Sequence, residues 1–199
     1  NWAIGGKDRA LRLIDLAAGC GVHGVVFELF NADKLYRDEA DRAKFRPFEL
    51  NEGWIPELRS KAREQGLKFV LAPYYLSALK FDVDAWKVDS SELTHEPLLR
   101  KMGEEGSPVY LGVAGADMEE IDSAIEWLRP DTERPEDVVI MHDSFGKPTK
   151  TKDLNLKKIL DLGQEFFPLS VGASVHHTNL ALAAIPVFYM ADVLEVDFD

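Results

Sequence analysis

Short apolar runs alternate with amphipathic segments along almost the whole chain. The runs at 22–27, 68–72, 85–88, 108–112, 138–142, 169–173 and 193–198 are too apolar to face water on either side. They predict strands buried on both faces, the mark of a parallel sheet. Helical spacing between them predicts a helix at 8–19, carrying Leu11, Ile14, Leu16 and Ala18, and another through Ile55, Leu58 and Ala62 before Gly66. Further helices are predicted at 96–102, at 117–128 with Met118, Ile121, Ala124, Ile125 and Leu128 on one face, at 154–166 and at 179–190. Pro186 is expected to kink the last of these or to end it early.

Seven such alternations at a period of roughly 25–30 residues suit a β/α barrel or a doubly wound sheet. No Gly-x-Gly-x-x-Gly follows the first strand, which argues against a dinucleotide fold. The stretch 31–51 breaks the rhythm: it is long, charged and weakly periodic, and reads as a functional or mobile loop. No internal repeat, low-complexity tract or linker interrupts the chain, so one domain over 1–199 is expected.

Composition narrows the partners. With 46% apolar residues, 199 residues are ample for a core. The formal charge of −12 disfavours nucleic acid and acidic membranes, whose phosphates would meet repulsion over most of the surface. A small anion remains acceptable wherever the few cations converge. Cys20 is the single cysteine, so no intramolecular disulfide forms, which fits a reducing compartment. Set in a Gly-Cys-Gly helix terminus, it reads as a small packing residue. There is no apolar run of membrane-spanning length, and no signal peptide is expected. A cytoplasmic protein is expected.

The segment Phe27-Glu-Leu-Phe-Asn-Ala-Asp-Lys-Leu-Tyr36 is more specific. With the glycine turn and helix from Gly5 to Ile14 before it, it resembles the sialic acid synthase family, the N-acetylneuraminate synthases and their relatives for other nonulosonic acids. The resemblance recurs in order. It holds in Trp86-Lys-Val-Asp-Ser-Ser-Glu-Leu-Thr-His-Glu-Pro-Leu-Leu99, in Leu111-Gly-Val-Ala-Gly-Ala-Asp-Met-Glu-Glu-Ile121, and in Met141-His-Asp143 with Pro148 and Asp153-Leu-Asn-Leu156. It closes with Val175-His-His-Thr178 and Ala191-Asp-Val-Leu-Glu195. The family implies an α/β fold, a TIM-type (β/α) barrel. Its first strand would precede Asn1, so that strand is expected to be missing or supplied from outside 1–199. The family's C-terminal antifreeze-like domain, which lends an arginine to a partner subunit, is expected to be absent; a homodimer remains compatible with the resemblance.

The resemblance implies a reaction: phosphoenolpyruvate condenses with an N-acetylated, mannose-type sugar at the barrel mouth. A divalent metal, manganese or magnesium, polarises the sugar aldehyde. His142 and His177 match its two ligands; His176 is the spare, expected to pack or to support its neighbours. Lys87 and Ser90 match phosphate- and carboxylate-binding positions, and Asp143 and Ser144 are further substrate-binding candidates. Lys87 alternatively pairs internally with Glu28 or Asp89, because a buried ammonium needs a counter-charge.

The departures point elsewhere. Where the family has Val-Lys-Phe-Gln, this chain has Val25-Val-Phe-Glu28; where it has Glu-Lys-His-Phe, this chain has Glu195-Val-Asp-Phe198. The family's Ser-Gly-Asp becomes Ser90-Ser-Glu92, and an asparagine becomes His95. Two cations are lost and two acids, Glu28 and Asp197, are gained. Lys147, Lys150 and Lys152 either compensate or form a solvated run. Glu28, Glu195 and Asp197 are the candidate catalytic acids. Carboxylates with imidazoles suit manganese or magnesium beside a neutral sugar better than a strongly anionic ligand. A metal-dependent sugar-modifying or carbohydrate-binding barrel, or a non-catalytic homologue, therefore stands beside the synthase reading.

Overall fold

The computed structural model describes residues 6–129, 137–144 and 146–198. Gly5, where the first predicted turn begins, lies outside them. Residues 1–87 with 198–199 form one compact unit and residues 88–197 a second. In each, consecutive strands are parallel neighbours in sequence order. No helix among the described residues is long and apolar enough to cross a membrane.

In the first unit, β1 (Gly24–Leu29) pairs with β2 (Lys68–Pro73) from Gly24↔Lys68 to Leu29↔Pro73. β2 pairs with β3 (Ala85–Val88) through Val70↔Ala85 and Leu71↔Trp86. β1 starts later than the apolar run predicts. Gly21, at φ +74°, completes the turn after the helix, and the ladder begins only where the His23 carbonyl accepts from the Lys68 amide. α1 (Gly6–Gly19) buries Ala10, Leu13, Ile14 and Ala17, a stripe at helical spacing. Leu16 falls off that stripe and is 59% exposed. α1 packs on α2 (Ile55–Glu64), which buries Ile55, Leu58 and Ala62. Lys7–Glu57 and Lys61–Asp15 pairs, each at 2.7 Å, rim the contact. Cys20 is exposed just beyond α1 rather than packed, because the terminus turns outward at Gly21.

The stretch expected as a loop is largely helical. Asn31 caps a turn at Ala32–Leu35 by accepting from the Lys34 amide at 3.1 Å, and Asp38 caps Glu39–Phe45 by accepting from Ala40 at 2.7 Å. Arg46 ties the two turns through Asp33 (2.6 Å) and Glu39 (3.1 Å), while Tyr36 stacks on Phe45 at 4.5 Å. Caps and ion pairs between near neighbours leave no apolar period, so the pattern along the chain missed them.

The second unit holds β4 (Val109–Gly112), β5 (Val138–His142), β6 (Ser170–Val175) and β7 (Val193–Val196), successive neighbours in parallel register. Helices Glu96–Glu105 and Met118–Leu128 pack together; the first buries Leu98, Leu99 and Met102, the second Ile121, Ala124 and Leu128. The second opens on a capping box, Asp117 with Glu120. The helix predicted from 154 starts only at Lys158. The one predicted at 179–190 splits into Leu180–Ala183 and Ile185–Phe188, with Pro186 in the first turn of the second piece, as its missing N–H requires.

Two junctions hold the strand ends. Asp84 accepts from the Phe69 amide at 2.8 Å and pairs with Arg63 of α2 at 2.6 Å, tying a helix to the starts of two strands. Burial alone would raise its carboxyl, but Arg63 and the Phe69 N–H outweigh that and hold it below its ordinary value. Its stabilisation is therefore full above the unfolded carboxyl's pKa, about 3.9, and is lost as pH falls through the lower folded value. Replacing Asp84 by Asn should cost about 1–3 kcal/mol at neutral pH. The difference in melting temperature from the unmodified chain should close on acidification. At the end of β4, a Cβ on Gly112 would lie 2.8 Å from Ser90 Oγ and 2.9 Å from the Val88 carbonyl. Gly112→Ala should cost about 1–3 kcal/mol by overpacking, read as a lowered denaturant midpoint at unchanged slope.

Candidate functional site

The strand ends carry the chemistry in both units. In the first, Val26 and Glu28 lie on the opposite side of β1 from the buried Val25, Phe27 and Leu29. Lys87 is 7% exposed, between the fully buried Trp86 and Val88. Neither Glu28 nor Lys87 is without an interaction partner. Sequence reasoning missed a polar cluster nearby in the chain: Glu52 accepts from the Tyr75 hydroxyl at 2.7 Å and pairs with Lys80 at 2.6 Å. Burial and then Glu52 push the Tyr75 phenol well above its usual range, while Lys80 and Tyr75 hold the Glu52 carboxyl low.

In the second unit, Ser90 directly follows β3 and Asp89, and its Oγ accepts from the Ala114 amide at 3.0 Å, docking this turn onto the end of β4. His142 ends β5 and is 6% exposed. Its Nε2 lies 2.9 Å from the Leu154 carbonyl, and Ser144 Oγ donates to the same oxygen at 3.3 Å. A carbonyl only accepts, so Nε2 carries a proton, and in the neutral tautomer this leaves the lone pair on Nδ1. Asp143 Oδ1 accepts from the Ser144 amide at 2.7 Å.

His176, one residue past β6, is 3% exposed. Its Nδ1 lies 2.9 Å from both carboxylate oxygens of Asp197, and its Nε2 is 3.4 Å from Asp143 Oδ1. That last approach does not make a hydrogen bond, and Nε2 is left without one. The His176 carbonyl accepts from the Thr149 amide at 2.6 Å, which pins the loop bearing Lys147, Lys150 and Lys152; those three lysines are exposed.

His177 points into different company. Its Nδ1 accepts from the Asn179 amide at 2.9 Å, and its Nε2 is 3.1 Å from Thr151 Oγ1. Glu195, on β7, accepts from Ser174 Oγ at 2.6 Å. The structure thus gathers His176, Asp143 and Asp197, pairs Glu195 with Ser174, and sets His142 beside Ser144 at the Leu154 carbonyl. Among the described residues, no group of three or more His, Cys, Asp and Glu is arranged to hold a metal ion. Imidazole nitrogen with carboxylate oxygen is nonetheless a donor set that first-row divalent ions accept, and His176 Nε2 is buried, without a hydrogen bond, 3.4 Å from Asp143 Oδ1.

Comparison with known proteins follows the same lines. The chain is 30% identical over 199 residues to an uncharacterised protein of Methanocaldococcus jannaschii, covering 98% of this chain and 58% of that one. It is 24% identical over 213 residues to an N,N'-diacetyllegionaminic acid synthase of Campylobacter jejuni, covering 98% of this chain and 64% of the relative. It spans less than two thirds of either relative's own length. An N-acetylneuraminic acid (sialic acid) synthetase from Leptospira borgpetersenii, solved in complex with citrate, matches 95% of this chain and 67% of its own at a TM-score of 0.87 and 21% identity. That likeness shows the fold, α/β of the TIM-type barrel class. The model of the NeuB family matches residues 13–199, and the chain belongs to that family.

Proposed function

We propose that this chain is a divergent sialic acid synthase-like barrel of the cytoplasm that takes an N-acetylated aminosugar together with a divalent cation, manganese or magnesium. The reaction of its lineage is the condensation of phosphoenolpyruvate with such a sugar to a nonulosonic acid. The observation that carries the reading is His142, which the Leu154 carbonyl orients at the end of β5 so that Nδ1 keeps its lone pair. His142 and an imidazole of the His176–His177 pair would hold the cation, which when bound would supply Lewis acidity toward the sugar aldehyde. Ser144 and Asp143 meet the sugar's hydroxyls. Glu195, fixed by the Ser174 hydroxyl, holds or moves a proton beside them. Within the first unit Lys87 neutralises an anionic group; within the second, Ser90, whose Oγ accepts from the Ala114 amide, shapes the turn after β3.

A second reading has its own support. Val26 stands where the family pattern carries a lysine, on the same side of β1 as the exposed Glu28. Loss of a cation and gain of a carboxylate favour a barrel that binds or modifies a sugar without phosphoenolpyruvate, or one kept as a non-catalytic homologue.

Calorimetry separates the two. Phosphoenolpyruvate should bind the unmodified chain only weakly, with or without manganese, while a mannose-type N-acetylated sugar binds in its presence. Val26→Lys should improve phosphoenolpyruvate binding by about tenfold or more, since a charge-assisted contact contributes about 1.5–3 kcal/mol. Micromolar binding of phosphoenolpyruvate by the unmodified chain would return it to the ordinary synthases. No binding of either ligand would end the sugar-site reading.

A further inference from the structure

We propose that residues 33–49 are a gate at the C-terminal ends of β1 and β2, a small helical lobe that opens and closes as one cooperative unit while the two strands stay paired. The lobe is the stretch that breaks the alternation along the chain, and the proposal holds whatever ligand the protein takes.

Burial sets the lobe apart. From Asp33 to Glu49 no side chain is buried, whereas Phe30 and Ala32 before it, and Leu50 and Ile55 after it, are anchored in the core. A segment without buried apolar contacts draws little stability from the core and opens well below the cost of global unfolding. Its own ties are local. Arg46 joins the two helical turns through Asp33 and Glu39. Arg42 donates from Nε to the Tyr36 carbonyl at 2.8 Å and from Nη2 to the Arg37 carbonyl at 3.2 Å. Tyr36, Phe45 and Phe48, all half-buried, follow one another at ring separations of 4.5 and 6.2 Å. Helices as short as Ala32–Leu35 and Glu39–Phe45 do not persist alone in water, so ties that cross between them make the lobe form and melt as a whole.

Two fastenings hold it shut. At the base, the Glu49 carboxylate accepts from the Ala32 amide at 2.6 Å, which joins the end of the lobe to its start. At the side, the Lys34 ammonium sits 5.1 Å from the centre of the Tyr75 ring, two residues past β2. That ring is a fixed catch. Its hydroxyl donates to Glu52 at 2.7 Å, and Glu52 pairs in turn with Lys80. Burial and then Glu52 push the Tyr75 phenol upward, so the hydroxyl stays protonated and goes on donating. Opening releases Lys34 and Glu49 together. The strand ends beside the gate remain tied, because the Tyr74 amide donates to the Leu29 carbonyl.

Amide hydrogen exchange of the whole chain, without ligand and read residue by residue by NMR at neutral pH, tests the gate. In the unmodified chain the Leu35, Tyr36, Arg42 and Glu49 amides, each hydrogen-bonded in the lobe or at its base, should share one opening equilibrium. They should exchange faster than Tyr74 and the amides of β1. Lys34→Met keeps the aliphatic stem and removes the charge; it should speed the whole set together by about two- to fivefold, the worth of an exposed cation–π contact. Glu49→Gln trades a charge-assisted hydrogen bond for a neutral one and should speed the same set by about threefold or more. Both variants should leave Tyr74 and β1 within about twofold of the unmodified chain, and melting temperatures check that each folds. Protection of the lobe equal to that of β1 overturns the proposal. So does a local response, in which Lys34→Met speeds only the amides beside 34 and Glu49→Gln only those beside 49. Equal acceleration of β1 and Tyr74 would also overturn it, by making the lobe a brace of the whole unit. Sugar and phosphoenolpyruvate binding decide the proposed function separately, since no ligand enters this experiment.

Discussion

Parallel pairing is the constraint from which the rest follows. Consecutive parallel strands require the chain to cross back over the sheet each time, and the crossover helices cover its faces. Val109, Leu111, Val138, Ile140, Val171 and Ala173 are buried accordingly. Polar side chains then have few places to emerge, and the strand ends are the main one. The ladder also fixes which of them meet. Val175 pairs with Val196, so the next residues, His176 and Asp197, arrive side by side. His142 pairs with Ala173, which brings Asp143 within reach of the His176 ring. Register thus does for this site what a dedicated loop does elsewhere.

The fold was legible because it rests on period and burial. All seven predicted strands occur among the described residues, and Pro186 divides its helix as its chemistry requires. The errors have physical causes. The apolar run at 22–27 slipped against β1 because a turn glycine consumes the first residues, and Cys20 followed that turn into solvent. The helical turns at 32–45 are held by caps and ion pairs that leave no apolar trace.

The site was legible only as a set of residue types at strand ends. Two histidines in succession look alike in a sequence. They differ in the partners of their ring nitrogens: Nδ1 of His176 faces Asp197, 21 positions on, whereas Nδ1 of His177 accepts from the Asn179 amide and its Nε2 meets Thr151, 26 positions back. No spacing rule reaches that far, because the two are joined to the histidines by a strand register in one case and by a loop pinned at Thr149 in the other.

His176 Nε2 is a buried polar atom whose cost the rest of the fold carries. A buried nitrogen without a hydrogen bond costs about 1–3 kcal/mol, and substitution to an apolar side chain of similar size would remove that cost. His176 nevertheless stays buried, with one nitrogen tightly held and the other left open beside a carboxylate. The companion acid bears little of the burden: Asp197 is 57% exposed, so water solvates its charge while its oxygens hold the ring. Trp86 Nε1 and Arg59 Nε are buried without a hydrogen bond as well, so an atom of this kind calls for a partner, water among them, and does not by itself name a ligand.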